Sequence, residues 1–245
     1  MTARRRNEHN STVRESPPLH LMLEGRAVPL VVRRSRRARR ITLRVDQRRD
    51  SVALVLPWRG SEAEGLRFAA AKAGWLLARL DELPPKVAFR DGNKVPFQGV
   101  EHVIRHCPES RGGVWREGNE IHVAGDARHI PRRLTNWLKR QARAEITEKA
   151  RAGAKTLGRQ IRRVTLRDTA TRWGSCSADG ALAFSWRLIL APTPVLDYVV
   201  AHEVAHLKEM NHSRKFWTLV GLLHPAPGRA RAWLRAHGTA LQRYG

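Results

Sequence analysis

Apolar and polar residues alternate through Ile41, Leu43 and Val45, and again through Val52, Leu54 and Leu56, with the polar run Asp46 to Asp50 between them. A period of two over five residues is that of a half-buried strand, so this region predicts strand, turn and strand. The period then changes. Ser61 followed three residues later by Glu64 forms a capping box, and Leu66, Ala69, Ala70, Ala73, Leu76, Leu77 and Leu80 recur at helical spacing, predicting a helix over residues 62–81. Downstream, Asp91-Gly92, Gly99, Gly112-Gly113 and Gly118-Asn119 punctuate short apolar segments at 100–104, 114–115 and 121–123, the pattern of a small antiparallel meander of hairpins. Pro131 opens a second helix, with Leu134, Leu138, Ala142, Ile146 and Ala150 in steps of four, ending before Gly153 or Gly158. Strand-like segments at 164–166, 172–176 and 182–186 flank the turn Ser177 to Gly180, and Pro192 and Pro194 lead into another helix. No stretch of sequence repeats another.

These elements make an α+β protein. Residues 1–18, with Arg4, Arg5, Arg6 and Pro17-Pro18 but no apolar period, read as a disordered basic arm. Residues 19–130 read as a β-rich lobe with one helix, and 131–245 as a second domain. The longest apolar runs fall far short of the roughly 20 residues of a membrane span, and the N-terminal residues lack the apolar core of a secretory signal. The expectation is a cytoplasmic protein without membrane contact. Cys107 and Cys176 are too few for a disulfide framework and are expected as thiols. The 46 Lys+Arg against 22 Asp+Glu give a formal charge of +24. That field attracts polyanions, nucleic acid or nucleotides among them, without conferring specificity, and an Arg-rich composition alone would produce it too.

The helix after Pro194 contains His202-Glu203-Val204-Ala205-His206. Two histidines four residues apart share a helix face, so both imidazoles can reach one Zn²⁺ ion, while Glu203 beside the first can act as general base toward a metal-activated water. A match of this kind is expected by chance about 0.03 times in a chain with this many His and Glu residues. A third ligand is required. Met210 to Gly245 contains no Asp or Glu, which leaves His212, His224 and His237 as downstream donors. His212, six residues after His206 and beyond Met210-Asn211, is the one a short turn would swing back to the metal. The spacing His-x₃-His-x₅-His resembles that of metzincins, but Glu209 stands where those have glycine, and no Met-turn follows.

The segments Arg172-Trp173-Gly174-Ser175-Cys176-Ser177, Trp186-Arg187-Leu188-Ile189, Asp197 to Leu207, Asn211-His212-Ser213 and Phe216-Trp217 together resemble the YgjP-like metallopeptidase family, related to SprT-like zincins. Arg33 to Arg40 leading into a strand, Trp75 and Gly99 extend the similarity upstream. The resemblance implies a zincin-like domain built round the HExxH helix, Zn²⁺ on His202, His206 and His212, and Glu203 as the catalytic base. It implies a peptide or protein substrate. Trp173, Trp186 and Trp217 are expected to pack rather than to bind, and the oxyanion partner stays open among Arg172, Tyr198 and His224.

The leading expectation is thus a zinc metallopeptidase. The same site could instead hydrolyse a nucleotide phosphoanhydride, which the basic residues Arg214, Lys215, Arg229, Arg231, Arg235 and Arg243 favour and the lack of a phosphate loop disfavours. A nucleic-acid-associated protease or binding protein, using the arm and Arg33 to Arg40, is the further alternative. The sequence leaves the oligomeric state open.

Overall fold

The computed structural model describes residues 13–15 and 19–245. The arm expected over 1–18 lies outside the described residues, except that Val13–Glu15 form a strand, β1, rather than unstructured chain. Among the described residues the chain forms three sheets and six α-helices, and no helix is long and apolar enough to cross a membrane. It divides into two compact units, 1–83 and 84–245.

The first unit contains β1, β2 (Leu19–Leu23), β3 (Arg26–Ser35), β4 (Thr42–Asp46) and β5 (Ser51–Pro57), followed by α1 (Glu62–Ala70) and α2 (Ala73–Asp81). The expected hairpin is β4–β5, paired antiparallel from Thr42–Val55 to Asp46–Ser51. Val52, Leu54 and Leu56 are fully buried and share a core with Leu23, Val28, Leu30, Val32, Leu76 and Leu80. Ser61 caps α1, its hydroxyl accepting from the Glu64 amide at 3.3 Å. The single helix expected over 62–81 is two helices. Between Ala69 and Leu76 no side chain is buried, so nothing holds the chain to the sheet through Ala71-Lys72, where it breaks.

The second unit opens with β6 (Lys94–Phe97), β7 (Val100–Cys107), β8 (Val114–Glu117) and β9 (Glu120–Ala124). The segment is not the purely antiparallel meander that its glycines suggest: β6–β7 and β8–β9 are antiparallel hairpins, but β7 and β9 run parallel at the centre. After a 3₁₀ turn, α3 (Ile130–Thr156) passes through Gly153. Then come β10 (Arg163–Arg167), β11 (Gly174–Cys176), β12 (Ala181–Ser185), a 3₁₀ segment Trp186–Leu190, and α4 (Thr193–Ala205), α5 (Arg214–Leu223) and α6 (Pro227–Leu241). The third sheet has the order β10-β12-β11, with β10 and β12 parallel.

Val95, Ile104, Ile121 and Val123 from the β6–β9 sheet lie in one continuous core with Leu134, Leu138 and Ile146 of α3 and Val195, Val199 and Val204 of α4. For that reason the boundary falls between Leu83 and Pro84, not at the expected 130/131: a sheet whose buried face is covered by α3 cannot be divided from it without exposing both.

The β2-to-β5 and β6-to-β9 segments share a topology that the sequence does not reveal. Strand orders β2-β3-β5-β4 and β6-β7-β9-β8 match, each with a parallel pair at the centre and an antiparallel hairpin on either side. Even the first turn is the same. Glu24-Gly25 has φ of 47° and 83°, Gln98-Gly99 has φ of 52° and 81°, and two positive φ values in a two-residue loop are those of a type I′ turn.

Candidate metal centre

Helix α4 is buried on nearly every side, including Val195, Leu196, Tyr198, Val199, Val200 and Ala201, so it is a core helix rather than one with a single apolar stripe. His202 and Glu203 lie in its last turn, and His206 is its C-cap residue. The chain then turns through residues 207–213. Asn211 Oδ1 accepts from the Ser213 amide at 3.1 Å, and Ser213 Oγ caps α5 by accepting from the Phe216 amide at 3.4 Å. His212 is held between these two local bonds and faces back toward α4.

One ring nitrogen from each of His202, His206 and His212 lies within 4.8 Å of the others. Nε2 of His202 and Nε2 of His212 are 3.1 Å apart. Phe216, fully buried, touches all three rings, with centroids 4.9, 4.5 and 4.7 Å from those of His202, His206 and His212. His206 Nδ1 lies 3.0 Å from the Glu209 carbonyl. A carbonyl only accepts, so Nδ1 carries the proton and Nε2 keeps its lone pair. Burial pushes the His202 imidazole down to about 4, with His206, His212 and Arg231 adding to the effect. Burial also lowers His206, against the Glu209 contact. Three imidazoles converging in this way form a nitrogen donor set that fits a borderline-soft divalent cation such as Zn²⁺.

The other downstream histidines are elsewhere. Nε2 of His224 lies 2.9 Å from the Pro194 carbonyl while its Nδ1 accepts from the Ala226 amide at 3.2 Å, so both nitrogens serve the fold. His224 is thereby excluded as an oxyanion donor as well. His237 packs against Trp233.

Glu203 is 6% exposed, and burial pushes its carboxyl up to about 7, with Arg172 pulling in the opposite direction. Its side chain lies against Gly174 of β11, where an added Cβ would come 2.5 Å from Glu203 Cγ. Glycine at 174 is therefore a condition for Glu203 to occupy its place. A cavity of about 350 Å³ adjoins the two, lined by Arg172, Trp173, Tyr198, His202, Arg231 and Arg235 among others. Arg172, Arg231 and Arg235 are exposed and make no ion pair among the described residues. Arg231 and Arg235, one turn apart on α6, were legible only as basic residues in an acid-free stretch; that they face this cavity depends on how α6 packs on α4. Of the three tryptophans, Trp186 is buried in the core, whereas Trp173 lines the cavity and Trp217 packs 6.0 Å from the rings of His202 and His212.

A family model described as YgjP-like, metallopeptidase domain, matches residues 39–237, which is most of the chain and includes all of the site. The chain belongs to the YgjP-like metallopeptidase family. Membership makes it a metal-dependent peptidase at the level of the family. A search of curated proteins finds no match. Among solved structures, the metallopeptidase zymogen of Pyrococcus abyssi abylysin is 28% identical over 40% of this chain and 97% of that one, with a TM-score of 0.33, too low to carry an argument about the fold.

Proposed function

We propose that this YgjP-like protein is a zinc metallopeptidase of the zincin type. His202, His206 and His212 would hold the ion, and Glu203 would be the general base. The observation that carries this reading is the convergence of three imidazoles beside a buried carboxyl whose pKa lies near neutrality. Bound there, zinc would act as a Lewis acid that acidifies water and polarises the scissile carbonyl. Glu203 would take the proton of the attacking water on its carboxylate and pass it to the departing amine nitrogen, both transfers within reach of one buried carboxyl beside the histidines. Tyr198 and Arg172 line the same cavity and are the candidates to stabilise the oxyanion. Strand β11 is an edge strand of its sheet and abuts Glu203 through Gly174, so its outer edge offers main-chain pairing to an extended peptide.

Elemental analysis of the wild type and of His212→Ala, with hydrolysis of an unfolded protein as the assay, tests the reading. About one zinc per chain, lost in the variant together with proteolysis, is the expected result. A folded wild type that takes up no metal overturns it. One observation favours a second reading, metal-dependent phosphoanhydride hydrolysis: the cluster of Arg172, Arg231 and Arg235 around the cavity suits an anionic substrate. Nucleoside triphosphates assayed beside the unfolded protein decide between the two.

A further inference from the structure

A groove of about 990 Å³ runs between α3 and β10, larger than the cavity beside Glu203. Its walls carry Arg143, Arg151, Lys155, Arg159 and Arg163, all exposed and none in an ion pair among the described residues. Arg162 also lines it but is paired with Asp179, and Glu148 is its one acidic residue. A smaller cavity shares Arg143 and extends the path to Lys139, Arg140 and Arg167; its acid, Asp168, is bound to Arg187. Along α3 the residues Lys139, Arg143, Thr147, Arg151 and Lys155 follow each other in steps of four, so cations and one hydroxyl recur about every 6 Å over about 24 Å. Trp186 lines the Lys139 end. It is 2% exposed, and its indole N–H has no hydrogen-bond partner among the described residues: a buried donor at the end of a row of cations.

We infer that this groove binds a single strand of nucleic acid along its phosphate backbone. A single row of cations, broken once by the Thr147 hydroxyl and winding slowly round α3, follows one chain of phosphates, whereas a duplex presents two. The run Arg33 to Arg40 is a weaker candidate despite its density, because Arg34 donates to the Gly60 carbonyl at 2.6 Å and Arg36 lies over the Trp58 ring at 4.8 Å. Strand β10 lies at the edge of its sheet opposite β11, so the bound strand occupies a different place from the histidine cluster and acts as a tether, not as a substrate. The inference does not depend on the chemistry at Glu203.

Fluorescence anisotropy of a labelled single-stranded oligonucleotide, titrated with the full chain over a range of salt, tests it. Each phosphate neutralised contributes about −0.7 to the slope of log K against log salt. Arg143→Gln/Arg151→Gln/Lys155→Gln should make the slope shallower by about 2 and weaken binding about tenfold or more, with metal content and hydrolysis unchanged. Arg36→Gln/Arg37→Gln/Arg39→Gln, which removes the same charge, should stay near wild type. Equal losses in both variants, loss confined to the second, no wild-type binding, tighter binding to duplex, or equal competition by polyaspartate would each overturn the assignment.

Discussion

Two arrays of four strands, β2 to β5 and β6 to β9, are laid out alike down to the type I′ turn that starts them, yet the chain uses them differently. The first is followed by two nine-residue helices and closes a core of its own; the second is followed by a 27-residue helix whose buried face continues into the core behind α4. Gly25, at the first turn, has open space where a Cβ would be. Gly99, at the second, has Pro192 Cα 2.7 Å from that point, and the Gln98 and Gly99 amides donate to the carbonyls of Ile189 and Leu190 just ahead of α4. A topology is thus no guide to a role. The second array's turn braces the segment that leads into α4, the helix of His202 and His206.

The sharpest way to test that division is at the site itself. Glu203→Gln should lower hydrolysis by about 10²–10⁴-fold with metal content intact, whereas no core substitution in the first array should change turnover per folded molecule. Truncations come next. Leu54→Ala and Ile121→Ala, both at fully buried positions, should each cost about 2–5 kcal/mol by chemical denaturation. Only Ile121→Ala should also weaken metal retention against a chelator, and equal weakening by both would erase the distinction.

A smaller effect is expected with pH. In the metal-free protein Glu203 is held up to about 7, above the usual carboxylate range. A carboxyl raised in the folded state favours folding below its unfolded pKa, and this contribution is lost as pH rises through about 7. Depressed His202 and His206 work the other way, opposing folding as pH falls through the ordinary imidazole range. Both histidines remain in Glu203→Gln, so the variant minus wild-type difference isolates the carboxyl: the variant should gain up to about 3 kcal/mol relative to wild type between pH 5 and 8. A flat difference would mean that Glu203 is solvated. Smallest are the turns. Gly25→Ala should cost about 1 kcal/mol for its left-handed backbone alone, and Gly99→Ala measurably more because Pro192 must also move.

The site was more legible than the fold around it. His202, Glu203 and His206 are set by helical spacing; the lack of carboxylates from Met210 to Gly245 left His212, His224 and His237, and the short turn at Met210-Asn211 selected His212. Both are local arguments over few residues. The central pairs β3–β5 and β7–β9 were not legible, because apolar alternation fixes which face of a strand is buried and not the direction of its neighbour. The break at Ala71-Lys72 was hidden by alanines that suit a helix whether or not it bends. Gly174 was visible as part of a motif, but only the approach of Glu203 explains why a side chain would be excluded there. The similarity of the two arrays left only the short pairs Glu24-Gly25 and Gln98-Gly99 as a trace, too little to register as a repeat when the strands around them carry different residues.

The three histidines do not stand on equal footing. His202 and His206 are fixed by a buried helix and by the Glu209 carbonyl, while His212 is exposed on the loop that follows. If the cluster holds zinc as proposed, this asymmetry orders the exchange of the ion. His202 and His206 would be the fixed part of the site, and His212 the ligand most easily displaced. The Asn211 and Ser213 bonds that hold His212 in place would then govern how long the ion stays, so that replacing Ser213 with alanine would shorten its residence without removing a ligand.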